Sequence, residues 1–356
     1  MENKKGIGKK IGGFVLKAMA FLLTGVLAIV VTLLLTLSML CSDSYPSVQR
    51  TFVTTILETG QLKFLASWFL SSEEIQAIVN QNSMQEFNNA VNTDLIDSGS
   101  FGENISNEEI PDIEIVEVAK STYTGTMMIV KDPSRVSLAT IYPWKAQGVT
   151  LDQLVTDNDA IAGINGGLYD SSNNSGGKPY GIIVSNGEIQ HNKPHEYPGL
   201  VLVGFTEDHI LQIVDVSDMT AADVEKLVAD MKIRDAVTFQ EEASDANNHF
   251  VQLIINNETR EVNGMGSGLN PRTAIGQKAD GSVLMFVTDG RGKSGHLGAS
   301  SLDLIEVMQE FGAVNAANLD GGSSSCMYYD GEYLMSSVTF YYDNSSWKLP
   351  AGFIVK

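Results

Sequence analysis

Cysteine, histidine and positive charge are all scarce in this chain of 356 residues: two Cys, five His, and 23 Lys and Arg against 43 Asp and Glu. Each scarcity closes off a class of protein. Cys41 ends an apolar run and Cys326 lies deep in the folded region, so the pair offers neither a disulfide framework nor a cysteine zinc site. His191 and His195 are four apart with Pro194 between them, which denies them the helical spacing of a zinc pair. The net charge of -20 repels phosphate backbones, and the basic residues gather into no stripe, so nucleic acid is excluded as a partner. There is no P-loop and no internal repeat to support a nucleotide-binding or solenoid reading. The hydrophobic share of 43% is ordinary, which argues against wholesale disorder.

Charge is missing altogether between Ala18 and Ser42. That run exceeds the roughly 20 apolar residues needed to cross a hydrocarbon core. It predicts a membrane anchor over 18–41. Lys4, Lys5, Lys9, Lys10 and Lys17 precede it in a basic tail, 1–17, and Asp43 follows. By the positive-inside rule the tail faces the cytoplasm and the rest lies outside, a single-pass type II arrangement in the cell membrane. A cleaved signal peptide is the rival, but its apolar region is shorter and ends in small residues, which Ser38-Met39-Leu40-Cys41 does not match.

Beyond the anchor, Val48, Phe52 and Ile56 recur every fourth residue before Gly60, and Ser71 with Glu74 has capping-box spacing ahead of Ile75, Ile78 and Val79. We expect a juxtamembrane helical stalk over 47–80. A polar linker follows over 81–112, then one domain over 113–356. Strand signals dominate that domain: 126–130, 181–185, 200–205, 251–255 and 283–288 are apolar and often β-branched. Asn186-Gly187, Asp280-Gly281 and Asp330-Gly331 read as tight hairpins. Helices are expected over 221–232 and 301–311, the second ended by Gly312. The fold class is α+β, with a mixed, largely antiparallel sheet core and a few packed helices.

The densest chemical signal is Asn318-Leu319-Asp320-Gly321-Gly322-Ser323-Ser324, a strand emptying into an acidic glycine loop. Glycines there turn backbone amides inward, and the hydroxyls of Ser323 and Ser324 add donors, a setting for an anionic or polyhydroxylated ligand. A second strand runs into Asp289-Gly290-Arg291. If both loops share an edge, Asp289 and Asp320 are the candidate carboxylates for glycoside cleavage. Arg272 and Arg291 are the candidate phosphate clamp, because a guanidinium grips phosphate through two parallel hydrogen bonds. Asn165 on the Gly166-Gly167 turn is a candidate for sugar hydroxyls, and Tyr169 for stacking or donation. His296, in a glycine-rich segment, is the candidate proton donor to a departing group. The two aspartates also suit calcium or magnesium, so a divalent cation is kept as a possible cofactor.

Together, Asn165-Gly166-Gly167, Lys178-Pro179-Tyr180-Gly181, Arg272-Thr273-Ala274-Ile275-Gly276, Asp289-Gly290-Arg291 and Asn318-Leu319-Asp320-Gly321-Gly322-Ser323 resemble the phosphodiester glycosidase family in order and approximate spacing. The resemblance covers roughly residue 113 to the C-terminus. It departs at Ser323, where members commonly carry a third glycine. It implies hydrolysis of a sugar-1-phosphate diester, such as an N-acetylglucosamine-1-phosphodiester, with release of free sugar and a phosphomonoester. For an anchored domain facing outwards, the expected partner is a sugar-phosphate or envelope polysaccharide, including exopolysaccharide. Two alternatives stand beside this: a metal-dependent phosphodiesterase, which would leave sugar phosphate, and a non-catalytic envelope glycan-binding protein.

Overall fold

A computed structural model of the chain describes residues 2–59, 62–87, 89–97, 112–339 and 343–356. Helix α1, Glu2–Leu40, carries the uncharged run. Among the described residues Gly13–Leu40 is the one helical stretch long and apolar enough to cross a membrane, by length and composition.

Helices α2 (Pro46–Leu57), α3 (Phe64–Ser67) and α4 (Ser72–Asn80) follow. Pro46 opens α2, where its missing N–H costs nothing. The Ser71–Glu74 capping box opens α4. Val53, Ile56 and Leu57 of α2 pack against Ala66 and against Ile75, Ile78 and Val79 of α4, a small core of their own. Gly60, the expected helix stop, lies outside the described residues, as does 98–111 of the expected linker.

The earlier part of that linker is fastened to the domain. Met84 bridges to Val262, Gln85 N–H donates to the Glu261 carbonyl at 3.0 Å, and Asp97 N–H donates to the Ala279 carbonyl at 2.8 Å. Its polar composition does not mean solvent exposure. Buried Asn82 donates Nδ2 to the Ser267 carbonyl at 3.0 Å and accepts Met265 N–H at 2.7 Å, so an amide side chain stands in for backbone partners.

The largest sheet has seven strands: β1 (Ile113–Ala119), β2 (Thr124–Val130), β3 (Gln252–Ile255), β4 (Glu258–Thr259), β5 (Thr273–Lys278), β6 (Val283–Thr288) and β7 (Ala313–Asn318). Their spatial order is β1-β2-β6-β5-β7-β3-β4, and every pairing is antiparallel. Two five-stranded sheets and a two-stranded one, Glu242–Ala243 with Asn248–His249, complete the fold among the described residues. One five-stranded sheet runs Glu332–Met335, Met327–Tyr329, Ala162–Asn165, Ala351–Val355, Val136–Thr140; the other runs Glu188–Asn192, Ile182–Ser185, Ile233–Gln240, Leu200–Thr206, Leu211–Asp215. Side chains from the three larger sheets, among them Met285, Phe353 and Phe205, form one hydrophobic core.

The three dipeptide turns lie between paired strands, though at Asp280-Gly281 only the glycine has positive φ, 79°. Asn186 and Gly187 both have positive φ, 52° and 76°, as do Asp330 and Gly331, 46° and 91°. That is the backbone that follows the twist of a two-residue hairpin. The helix at Ser301–Glu310 starts on a Ser300–Asp303 capping box and stops at Gly312, φ 81°. It packs Leu304, Val307 and Met308 onto Phe286 and Ala316 on one face of the large sheet.

Candidate active site

Antiparallel order decides where the chemistry collects. β6 and β7 end, and β5 begins, at the same edge of the sheet, with β5 between the other two. Asp289 follows β6, Asp320 follows β7 and Arg272 precedes β5. The two aspartate strands are therefore two spacings apart, about 10 Å between backbones.

Asp320 is partly exposed at the head of the glycine loop. Desolvation pushes its carboxyl up to about 7, against the Ser324 hydroxyl, the Gly321 N–H and the charge of Arg291, which all favour ionisation. Its backbone is pinned from the other sheet, since Asn165 donates Nδ2 to the Asp320 carbonyl at 2.7 Å. The same amide oxygen accepts the Thr273 hydroxyl at 2.7 Å and Cys326 N–H at 3.2 Å. Asn165 is 1% exposed, so both ends of the amide are taken by protein and none remains for a sugar hydroxyl. Gly166 and Gly167 are similarly structural: a side chain on them would run into the main chain of Ala351 and Thr238. Tyr169 is buried with its hydroxyl 3.0 Å from Ser324 Oγ, which places it behind the loop.

Arg291 reaches the same loop from the other side. It has φ 52°, unusual for a bulky residue. Its Nε donates to Asn270 Oδ1 at 2.9 Å and its Nη1 to Ser323 Oγ at 2.8 Å. Desolvation lowers its pKa, Glu58 and Asp320 act in the opposite sense, and Arg272 adds to the lowering. Gly322 N–H donates to the Pro271 carbonyl at 2.8 Å, tying the loop to the start of β5.

Arg272 is not available as the second half of a phosphate clamp. It is 2% exposed and spends its guanidinium on the Ala299 carbonyl (3.1 Å), Ser267 Oγ (2.8 Å), the Gly268 carbonyl (2.7 Å) and an ion pair with Glu58. Glu58 ends α2 and its side chain is fully buried; burial pushes its carboxyl up, while Arg272 and Gly268 N–H pull it down. Nothing in the local sequence of α2 signals this partner. His249 also escapes a motif search. It is pulled down to about 3 by desolvation, with Arg272 and Lys63 adding to the effect, so it is a neutral imidazole at physiological pH.

Asp289 and His296 form a dyad. Asp289 is buried, accepts Thr124 N–H on Oδ1 at 2.8 Å, and lies 2.7 Å from His296 Nδ1 through Oδ2. A carboxylate so placed orients an imidazole and leaves its Nε2 for proton exchange. Asp289 Oδ1 accepts a backbone N–H and its Oδ2 faces His296 Nδ1, which leaves few free oxygens there for calcium or magnesium. Among the described residues no three His, Cys, Asp or Glu side chains converge on a metal-holding position.

A family model for phosphodiester glycosidase matches residues 158–356. The chain belongs to the phosphodiester glycosidase family. Two other proteins share shorter stretches with this chain. The SPbeta prophage-derived uncharacterized protein YomE of Bacillus subtilis is 37% identical over 65 residues, 18% of this chain and 10% of that protein. The N-acetylglucosamine-1-phosphodiester alpha-N-acetylglucosaminidase of Mus musculus is 29% identical over 102 residues, 28% of this chain and 19% of the mouse protein. The fold is that of the zebrafish N-acetylglucosamine-1-phosphodiester alpha-N-acetylglucosaminidase catalytic domain, a structure auto-inhibited by its pro-peptide. The match has a TM-score of 0.53 at 17% identity and covers 70% of this chain and 84% of that one. Asn165, Arg272, the Asp289–His296 dyad, Arg291 and the Asp320 loop all fall inside the phosphodiester glycosidase match, whereas Glu58 and α2–α4 precede it.

Proposed function

We propose that this chain is a membrane-anchored, extracytoplasmic hydrolase that cleaves the glycosidic bond of sugar-1-phosphate diesters in envelope or exopolysaccharide metabolism. The observation that carries the reading is that Arg291 reaches the glycine loop headed by Asp320 and donates to its Ser323 hydroxyl. A carboxyl poised at about 7 stands beside a guanidinium suited to phosphate. The name of the mouse relative, an N-acetylglucosamine-1-phosphodiester glycosidase, supports the same substrate class. The lysines that precede the uncharged run within α1 support the outward-facing topology.

In this reaction the bond from the anomeric carbon to the phosphate oxygen breaks, and its electron pair leaves with the phosphomonoester. Water supplies hydroxide to the anomeric carbon and a proton to a base. Phosphate is a good leaving group, so the larger demands are charge stabilisation and water activation. Arg291 compensates charge growing on the phosphate. Asp320, as carboxylate, takes the proton from water and faces the oxocarbenium-like centre. His296, oriented by Asp289, exchanges the proton of the departing phosphate. Arg272 holds the loop architecture and does not touch substrate.

Product analysis tests the proposal. The full chain in detergent is incubated with an N-acetylglucosamine-1-phosphodiester, with Asp320→Asn as control. Free sugar with a phosphomonoester, lost in the variant, is the expected result. Sugar phosphate, abolished by chelator, would identify a metal-dependent phosphodiesterase instead. Binding without any product would identify a glycan-binding protein.

A further inference from the structure

Glu58 lies more than two hundred residues from the loops of the site and outside the family match, yet its carboxylate is buried in their foundation. Gly268 N–H donates to Oε1 at 2.6 Å, and Arg272 closes an ion pair on Oε2. Asn270 is the third partner. Its Nδ2 lies 3.3 Å from the Glu58 carbonyl and 3.5 Å from Oε2.

An amide has one donor end and one acceptor end, and at Asn270 opposite charges choose between them. The NH2 must face the carboxylate and carbonyl of Glu58, so the oxygen must face away. There it receives Arg291 Nε at 2.9 Å. Arg291 in turn places Nη1 on Ser323 Oγ and Nη2 against Gly322, beside Asp320. The buried carboxylate also neutralises Arg272, which would otherwise stand as an uncompensated like charge near Arg291.

We infer that Glu58, carried by the juxtamembrane helix α2, is a positioning residue that acts through Asn270 to hold the Arg291 guanidinium in the geometry that receives the substrate phosphate. The inference rests on the proposed role of Arg291 and extends the active site into a segment that the family match does not include. The helices next to the membrane are then part of the catalytic unit, and their docking sets how well the phosphate is gripped.

The test uses the full chain in detergent with an N-acetylglucosamine-1-phosphodiester, read as separate kcat and KM. Glu58→Gln keeps the shape of the side chain but puts an NH2 against either Gly268 N–H or the Arg272 and Asn270 donors. We expect about a tenfold rise in KM with kcat within about threefold. Asn270→Ala, which leaves the Glu58–Arg272 pair whole, is expected to raise KM similarly and guards against a fold defect in the first variant. In an Arg291→Ala background either change should add less than about twofold, because the group they position is gone. A tenfold effect that persists without Arg291, or no KM effect in either single variant, overturns the inference. If the wild type cleaves nothing, the proposed function fails by itself. The same set of variants is then read by calorimetry with N-acetylglucosamine-1-phosphate, where tenfold weaker binding dependent on Arg291 upholds the relay and unchanged or absent binding overturns it.

Discussion

The Arg291 guanidinium lies across Gly322, with Nη2 at 2.5 Å from the point a Cβ on that glycine would occupy. Gly322 has φ 63°, where a side chain is strained as well as crowded. Gly322→Ala should therefore cost about 1–2 kcal/mol of stability from the backbone alone. It should also displace Arg291 and raise KM for a phosphodiester by more than for the same sugar on a neutral leaving group. Thermal melts and the two KM values check this together.

Asp320 supplies a pH signature. Its carboxyl is pushed up to about 7, and its working form in the proposed reaction is the carboxylate. That form fills as pH rises, so kcat/KM should climb through about pH 7 and level off above it. Asp320→Asn should lower kcat by about 10²–10⁴-fold and abolish that limb. A profile that falls across the same range would assign Asp320 to the acid role instead.

The same carboxyl makes a stability prediction of opposite sense. A group whose folded pKa is raised stabilises fully below its unfolded value, near 3.8, and that contribution is lost as pH rises through about 7. Ionised Asp320 is thus a cost to the fold above neutrality. At about 1.4 kcal/mol per unit the shift bounds this cost at about 4 kcal/mol, and partial exposure brings it nearer 2 kcal/mol. Asp320→Asn should melt with the wild type at about pH 4 and above it at about pH 8, where it is inactive. Equal melting temperatures at both values would show that the carboxyl is not desolvated.

What could be read in the sequence divides by range. Asn186-Gly187 and Asp330-Gly331 specify their hairpins within two residues, because positive φ is a property of the dipeptide. Ser300 and Ser71 announce their helices through caps that close within one turn. Asp320 and Arg291 were legible as loop chemistry, and strand order brings them to one sheet edge. The roles that local sequence leaves undecided are those where a long-range partner decides. Arg272 reads as a ligand-binding guanidinium until Glu58 arrives from α2, and Asn165 reads as a sugar contact until its amide closes on Asp320, Thr273 and Cys326. No spacing rule reports such contacts. The polar stretch before the domain reads as linker for the same reason, since Asn82 is polar yet buried, and its partners lie near residue 265.

That attachment bears on where the chain can be cut. A fragment over 113–356 begins at the first strand of the large sheet and looks like a natural domain, but it strips Glu58 from buried Arg272 and removes the α2–α4 core. An unpaired buried charge costs about 3–5 kcal/mol, a large part of the stability of an ordinary domain. Loss of Asn82 also frees the loop that carries Ser267 and Gly268, both of which touch Arg272. The fragment 44–356, which discards only the apolar helix and what precedes it, should express in soluble form, melt in one cooperative step and keep the phosphodiester activity. The fragment 113–356 should melt lower by at least about 10 °C, or fail to fold, with activity lost in step. Comparable melting of the two fragments would mean that α2–α4 are dispensable to the fold, and that Arg272 finds water or another anion when Glu58 is gone.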